Sequence, residues 1–105
     1  MPKTGLLNTG LLVRLEAKPG KELAVENFLR AGLAMAKDEG TTPIWFALKI
    51  GPSTFGIFDA FADDAGRQAH LTGKIAKALM ANAADWLAKD PQIEPVEVLE
   101  AKLAC

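Results

Sequence analysis

His70 is the single histidine of the chain, and histidine is the side chain whose ordinary pKa lies nearest to neutral pH. As a general base it could take a proton from an acidic phenol or enol, and the resulting carbanion-like substrate could then react with dioxygen directly. The alternative is a structural histidine whose hydrogen bonds hold a helix against a sheet. The sequence leaves both interpretations of His70 open, one catalytic and one structural.

Asp59 precedes His70 by 11 residues and shares an alternating phase with Phe55, Ile57 and Phe61. A carboxylate among apolar neighbours needs a partner, because an unpaired buried charge is strongly unfavourable. Pairing with His70 would orient the imidazole and raise its pKa. We therefore predict Asp59 and His70 as the catalytic pair. The alternative for Asp59 is a tie between strand and helix, or a place at the sheet edge.

The candidate substrate-binding residues are one cation and several large apolar side chains. Arg14 could hold an anionic substrate, or it could pair with Glu16 or with a carboxylate of a second copy. Three residues are predicted to line a pocket between sheet and helices, together with His70: Phe46, Ile57 and Phe61. Two are predicted on the other face of the sheet, as pocket walls or as part of a dimer core: Trp45 and Phe58.

The composition argues against several functional classes. The chain has 105 residues with 12 basic and 13 acidic side chains, so it has no excess of cations for binding nucleic acid. One histidine and one cysteine, Cys105, argue against a transition-metal site, and we predict no metal and no cofactor. Neither a membrane-spanning apolar run nor a signal-peptide pattern is present. We expect one cytoplasmic domain over residues 1–105, with no membrane partner.

Hydrophobic periodicity predicts the elements that must position these side chains. Alternation predicts strands over residues 11–17, 44–50 and 55–61, and spacings of three and four predict helices over 21–37 and 74–87. A shorter helix is predicted over 63–71, with Asp63 as its N-cap, and Gly40 is expected at the C-terminal end of the first helix. A last strand is expected after Pro95, over 96–103.

This order of elements, βαββαβ, is typical of a ferredoxin-like α+β fold, in which a four-stranded antiparallel sheet carries helices on one face. Both faces of the central hairpin are largely apolar, so the face without helices needs a cover. A second copy of the chain, packed sheet on sheet around a two-fold axis, would supply that cover. The sequence therefore predicts a homodimer.

Three segments resemble the antibiotic biosynthesis monooxygenase family of the dimeric α/β barrel superfamily: LVRLEAKPGKE at 12–22, the hairpin 45–61 with GPSTFGIFDAF, and QAHL at 68–71. Phe55, Ile57, Asp59 and Phe61, followed by His70, match the order of the family pattern. The resemblance implies a cofactor-independent monooxygenase that acts on a small aromatic or quinol-like substrate. The alternative is a non-catalytic small-ligand-binding or stress-response protein with the same dimeric barrel.

The sequence departs from the haem-degrading branch of that superfamily. Leu12 stands at the position of that branch's strand-one asparagine, and Lys77 falls near the position of its haem-ligating histidine. The chain also has no tyrosine, a residue that the polyketide-oxidising members use. Haem degradation is therefore disfavoured, and the polar set of the polyketide-oxidising members is incomplete.

Overall fold

The computed structural model describes residues 7–102. Its elements are β1 (Thr9–Glu16), α1 (Glu22–Lys37), β2 (Ile44–Lys49), β3 (Thr54–Phe61), α2 (Asp64–Leu71), α3 (Lys74–Trp86) and β4 (Gln92–Glu97). The four strands form one antiparallel sheet in the order β2-β3-β1-β4. This is the predicted ferredoxin-like α+β fold, with the second helical region split into α2 and α3.

Side chains alternate in burial along β1, so the strand has one covered and one uncovered side. Leu11, Val13 and Leu15 are buried, whereas Arg14 between them is exposed. This is the pattern that the sequence predicts, because successive side chains of a strand point to opposite faces of the sheet. The chain leaves the strand through Gly20, whose φ of 88° lies in the left-handed region that glycine adopts without strain.

The helices follow the predicted periodicity, although their ends differ in detail. In α1 the buried positions are Val25, Leu29, Gly32 and Ala36, spaced by three or four residues. The prediction that Gly40 ends this helix is wrong, because α1 stops at Lys37 with a right-handed Asp38 as its C-cap. None of the helices in residues 7–102 combines the length and apolarity needed to cross a lipid bilayer.

The last strand begins earlier than predicted. β4 runs over Gln92–Glu97 and therefore contains Pro95, which the sequence analysis placed before the strand. Within residues 7–102 the strand lies at the sheet edge and pairs only with β1, so a residue without a backbone N–H is tolerated there. The predicted extension is wrong over residues 98–102, because β4 ends at Glu97 and these residues form no strand, and Leu103 lies outside the described residues.

The hydrophobic core lies between the sheet and the helices. Phe55, Ile57 and Phe61 of β3 are at most 3% exposed and pack toward the helices. Asp59 shares their side of the strand. Further buried apolar residues come from the other elements: Leu11, Val13, Leu15, Val25, Leu29, Ile75, Leu79 and Leu87.

The two sides of β2 are the reverse of those predicted. Trp45 lies opposite Asp59 on β3, and Phe46 lies opposite Phe58, so each pair shares a face of the sheet. Trp45 therefore faces the helices, and its indole lies 3.3 Å from where a Cβ on Gly32 would stand. Phe46 is 52% exposed on the other face. The predicted faces of Trp45 and Phe46 are both wrong, because the register with β3 decides which side of an edge strand is covered.

We call the face without helices the open face. It carries apolar side chains from three neighbouring strands and from the turn after β2: Leu12, Ile44, Phe46, Leu48, Ile50 and Phe58. The rings of Phe46 and Phe58 stack with centroids 6.4 Å apart. This apolar surface agrees with the predicted need for a cover on that face.

Candidate functional site

His70 lies between two carboxylates on the covered side of the sheet. Its Nε2 is 2.8 Å from Oδ2 of Asp59, and its Nδ1 is 2.6 Å from Oε1 of Glu39. The hydroxyl of Thr42 donates to the same Glu39 oxygen at 3.0 Å and lies 3.5 Å from Nδ1. We call these four residues the His70 cluster. The structure thus brings Asp59 and His70 together and adds two residues that the sequence analysis missed.

The four members of the His70 cluster come from three parts of the fold. Asp59 lies on β3, His70 lies in the last turn of α2, and Glu39 and Thr42 lie between α1 and β2. Asp63 starts α2 as predicted, since its side chain accepts a 2.9 Å hydrogen bond from the amide of Gly66. No periodicity in the sequence marks Glu39, because it lies in a connection and its partner is 31 residues away.

Burial and charge oppose each other at His70. His70 is only 6% exposed, and burial alone would lower the pKa of its imidazole. The carboxylates of Asp59 and Glu39 outweigh that effect and together raise the pKa of His70 to about 9. At neutral pH the cluster therefore holds an imidazolium between two acidic side chains.

This geometry bears directly on the catalytic interpretation. A general base needs a neutral nitrogen that can reach the proton of the substrate. In the structure both ring nitrogens of His70 face carboxylates, and Asp59 is completely buried. The arrangement favours the structural interpretation of His70. The proposed base role stays a prediction, which requires one carboxylate to move aside.

Several polar atoms near the cluster are buried without a hydrogen-bond partner among the described residues. They include Oδ1 of Asp59, Oε2 of Glu39 and Nε1 of Trp45. Each buried polar group left in that state costs on the order of 1–3 kcal/mol. Asp59 therefore depends on the charge of His70 for the compensation of its own burial.

A surface groove, which we call the α1–β2 groove, runs between the first helix and the edge strand. It consists of two adjoining cavities of about 150 and 330 Å³ that share Leu29, Arg30 and Ala47. Two residues predicted to bind substrate, Trp45 and Phe46, line the larger cavity. The remaining lining residues are Glu26, Leu33, Leu48, Lys49 and Phe55.

Charged side chains stand at one end of the α1–β2 groove. Glu26 lies 3.0 Å from the guanidinium of Arg30 and 3.6 Å from the ammonium of Lys49. The hydrogen bond from Arg30 is the largest influence that lowers the pKa of Glu26, so this carboxylate is ionised at neutral pH. Lys49 also lies 5.7 Å from the ring centre of Phe55, within the range of a cation–π contact.

The other predicted binding residues lie elsewhere. Ile57 and Phe61 are buried in the core, and Phe58 lies on the open face. Arg14 lines a cavity of about 220 Å³ together with Lys89 and other residues, at the end of β1. The structure thus separates Arg14 from the groove that holds Trp45 and Phe46, whereas Phe58 stacks on Phe46 but does not line the groove.

The possible pairing of Arg14 with Glu16 does not occur in the structure. Glu16 accepts short hydrogen bonds from the hydroxyls of Ser53 and Thr54, at 2.6 and 2.7 Å, and these bonds lower its pKa. Arg14 forms no ion pair with any residue between 7 and 102. In the same part of the chain, no three His, Cys, Asp or Glu side chains are arranged to hold a metal ion. Cys105 lies outside the described residues.

Comparison with known structures finds a protein that is similar at high identity. A protein of unknown function from Nitrosomonas europaea is 60% identical, with a TM-score of 0.93 over 96% of this chain and 98% of that chain. No family model matches the chain, and no curated protein matches it.

More distant structures identify the fold. Two are named "putative antibiotic biosynthesis monooxygenase". One, from Nitrosomonas europaea, is 18% identical, with a TM-score of 0.77 over 87% of this chain and 89% of that chain. The other, from Caulobacter crescentus, is also 18% identical, with a TM-score of 0.76 over 92% and 94% of the two chains. The predicted resemblance to this group is confirmed at the level of the fold.

Proposed function

The chain belongs to the same family as the Nitrosomonas europaea protein of unknown function, and on that premise we propose that it binds a small aromatic or quinol-like molecule in the α1–β2 groove and oxygenates it without a cofactor. The fold shared with the monooxygenase-named structures supports the reaction class. The groove itself is the observation that carries the proposal, because it combines aromatic walls with charged side chains at one end.

The proposed reaction needs no reductant other than its substrate. A methylene next to an activated aromatic ring loses one proton to give a stabilised carbanion, which transfers electrons to dioxygen. After the second C–H bond breaks, one oxygen atom is in the new carbonyl group and the other leaves in water. The substrate supplies all four electrons that dioxygen takes up. The role of the protein is to bind the ring, stabilise the anion and exclude water.

The test uses 1,8-dihydroxyanthrone, whose oxidation to the anthraquinone changes its absorbance and consumes oxygen. We expect the protein to accelerate this oxidation above the rate in buffer, with one atom of labelled dioxygen entering the product. Ala47→Phe fills the groove from β2 and should reduce the rate about tenfold or more, since positioning is lost. Ala81→Phe, an exposed position on α3, is the matched control. Equal rates for protein and buffer would refute oxygenation of this substrate class.

The roles proposed for His70 and Asp59 are tested by the pH dependence of the same reaction. If His70 is the base, the rate should rise as the imidazole loses its proton near pH 9, because only the neutral ring accepts a proton. His70→Gln, which retains a polar side chain, should then abolish that rise. A pH profile that is identical in the two folded proteins would assign His70 to structure alone.

A second candidate function is supported by the engagement of both His70 nitrogens. Without a free base, the same groove could bind an aromatic ligand without transforming it. Saturable binding of the anthrone with no acceleration of its oxidation would select this non-catalytic function. The same measurement with Ala47→Phe locates the binding in the groove.

We also propose that the protein is a homodimer that packs through its open face. Large apolar side chains there are half exposed in the single chain, including Phe46 at 52% and Ile50 at 48%. A second copy would bury the same surface on both partners, which is the geometry of a two-fold interface.

A further inference from the structure

The charged end of the α1–β2 groove has one more cation than it has anions. Glu26 is flanked by Arg30 at 3.0 Å and by Lys49 at 3.6 Å, and no other residue lining the groove is ionisable. The three side chains carry a net charge of +1 at neutral pH, because the pKa of Glu26 is lowered. An incoming negative charge would balance this end of the groove.

The cations are held in place by contacts on several sides. Nε of Arg30 donates to Oε2 of Glu26 at 3.1 Å, and Nη2 of the same guanidinium lies 3.0 Å from that oxygen, so two of its nitrogens converge on one acceptor. Lys49 is held between the carboxylate of Glu26 and the ring of Phe55. Arg30 and Lys49 are still largely exposed, so both retain unused N–H donors for a further acceptor.

Apolar surface adjoins this charged end directly. Leu29, Arg30 and Ala47 line both cavities, so a planar ring placed against Trp45 and Leu33 would have its polar edge near Arg30. A groove with an aromatic wall and a cationic end complements a ring that carries one negative oxygen.

From this juxtaposition we infer that the α1–β2 groove selects planar aromatic ligands in their anionic form, as a phenolate, an enolate or an arenecarboxylate. The inference rests on the proposed ligand groove and specifies its substrate class.

Selection of the anion also gives the oxygenation a proton path that does not use His70. A phenol or enol releases its proton to water, and the groove binds the anion, which is the form that transfers electrons to dioxygen.

The test compares 1-naphthoate with 1-naphthylmethanol by calorimetry at pH 7.5, because the two share one ring system and differ in charge. We expect naphthoate to bind the parent protein about tenfold more tightly than naphthylmethanol does. This is the gain in affinity expected from screened charge attraction near a protein surface. Raising the salt concentration should weaken only the naphthoate complex.

Three variants assign the selectivity to the groove. Arg30→Gln should weaken naphthoate binding about fivefold and leave naphthylmethanol binding unchanged. Glu26→Gln should strengthen naphthoate binding by a similar factor, because it removes the competing carboxylate. Lys77→Gln, an exposed cation on α3 outside the groove, should alter neither affinity.

The outcomes separate this inference from the proposed function. Equal binding of the two probes would overturn the anion selectivity and leave the aromatic groove standing. Binding of neither probe would remove the groove as a ligand site and the inference with it. Preference for naphthoate that survives Arg30→Gln but is lost in Arg14→Gln would overturn the inference by moving the anion to the cavity at the end of β1.

Discussion

The two faces of the sheet differ in a way that reverses the usual distribution of polar and apolar groups. On the covered face, Asp59 is completely buried beside a charged His70. On the open face, the neighbouring residue Phe58 stacks with Phe46, which is half exposed. The covered face compensates its charges with side chains from three parts of the same chain. The open face has no such partner among residues 7–102, and the proposed homodimer would cover it with a second copy of the chain.

The largest effect should come from breaking the compensation on the covered face. His70→Ala leaves Asp59 buried without its cation, and loss of one member of a buried ion pair costs about 3–5 kcal/mol. We expect the free energy of unfolding in urea to fall by that amount. The double variant Asp59→Leu/His70→Leu replaces both charges by apolar groups and should recover at least half of the loss. A His70→Ala protein as stable as the parent would show that Asp59 is compensated in another way.

The next largest effect should come from placing a charge on the open face. Phe58→Lys introduces an ammonium into the proposed interface and should weaken self-association by roughly 100-fold, equivalent to about 3 kcal/mol. Sedimentation equilibrium measures this shift from dimer to monomer. Leu23→Lys, at an exposed leucine of α1, is the matched control and should not change assembly. A parent protein that sediments as a monomer at micromolar concentration would refute the open-face dimer.

The ionisation of His70 predicts a smaller, pH-dependent effect on the covered face. Its pKa is about 9 in the folded protein against an ordinary value of 6.5, so the folded state holds the proton more tightly. The stabilisation is therefore complete below pH 6.5 and is lost as the pH rises through 9. The groups that face the imidazole are Asp59, Glu39 and the hydroxyl of Thr42.

We expect the free energy of unfolding to decrease by about 3 kcal/mol between pH 6.5 and pH 10. Urea titrations at intervals across this range measure the change. The double leucine variant lacks the titrating group and should show a flatter profile. An identical slope in both proteins would assign the pH dependence to other residues.

The same two faces show what the sequence could and could not predict. Along β1 and β3 the alternation is unambiguous, because polar residues interrupt it on β1 and Asp59 shares the phase of three buried side chains on β3. The pairing of Asp59 with His70 followed from the cost of burying an acid. On β2 both sides are apolar, so no local pattern distinguishes Trp45 from Phe46. That choice depends on the register with β3, which is a tertiary property.

Other parts of the site were equally beyond local reasoning. Glu39 lies in a connection, and its role depends on a contact with His70 that is distant in sequence. The α1–β2 groove joins residues of a helix to those of the neighbouring edge strand, so no local pattern in the sequence brings Arg30 and Lys49 together. A proline predicts a strand boundary at Pro95, because the sequence does not reveal that β4 is an edge strand, where the missing backbone N–H is tolerated.

The smallest predicted effect concerns the helix that carries His70 to the covered face. Oδ1 of Asp63 accepts the amide of Gly66 at 2.9 Å and satisfies one of the free N–H groups at the start of α2. Asp63→Ala removes this cap and should lower the free energy of unfolding by about 1 kcal/mol, measured in urea. Asp63→Asn keeps the accepting oxygen, so its free energy of unfolding should remain close to that of the parent protein.

If α2 is held mainly by the ion pairs of His70, the loss of the cap should not shift the pKa of the imidazole, which NMR titration of its ring protons reports. A lowered imidazole pKa in Asp63→Ala would instead show that the cap itself sets the distance between His70 and its two carboxylates.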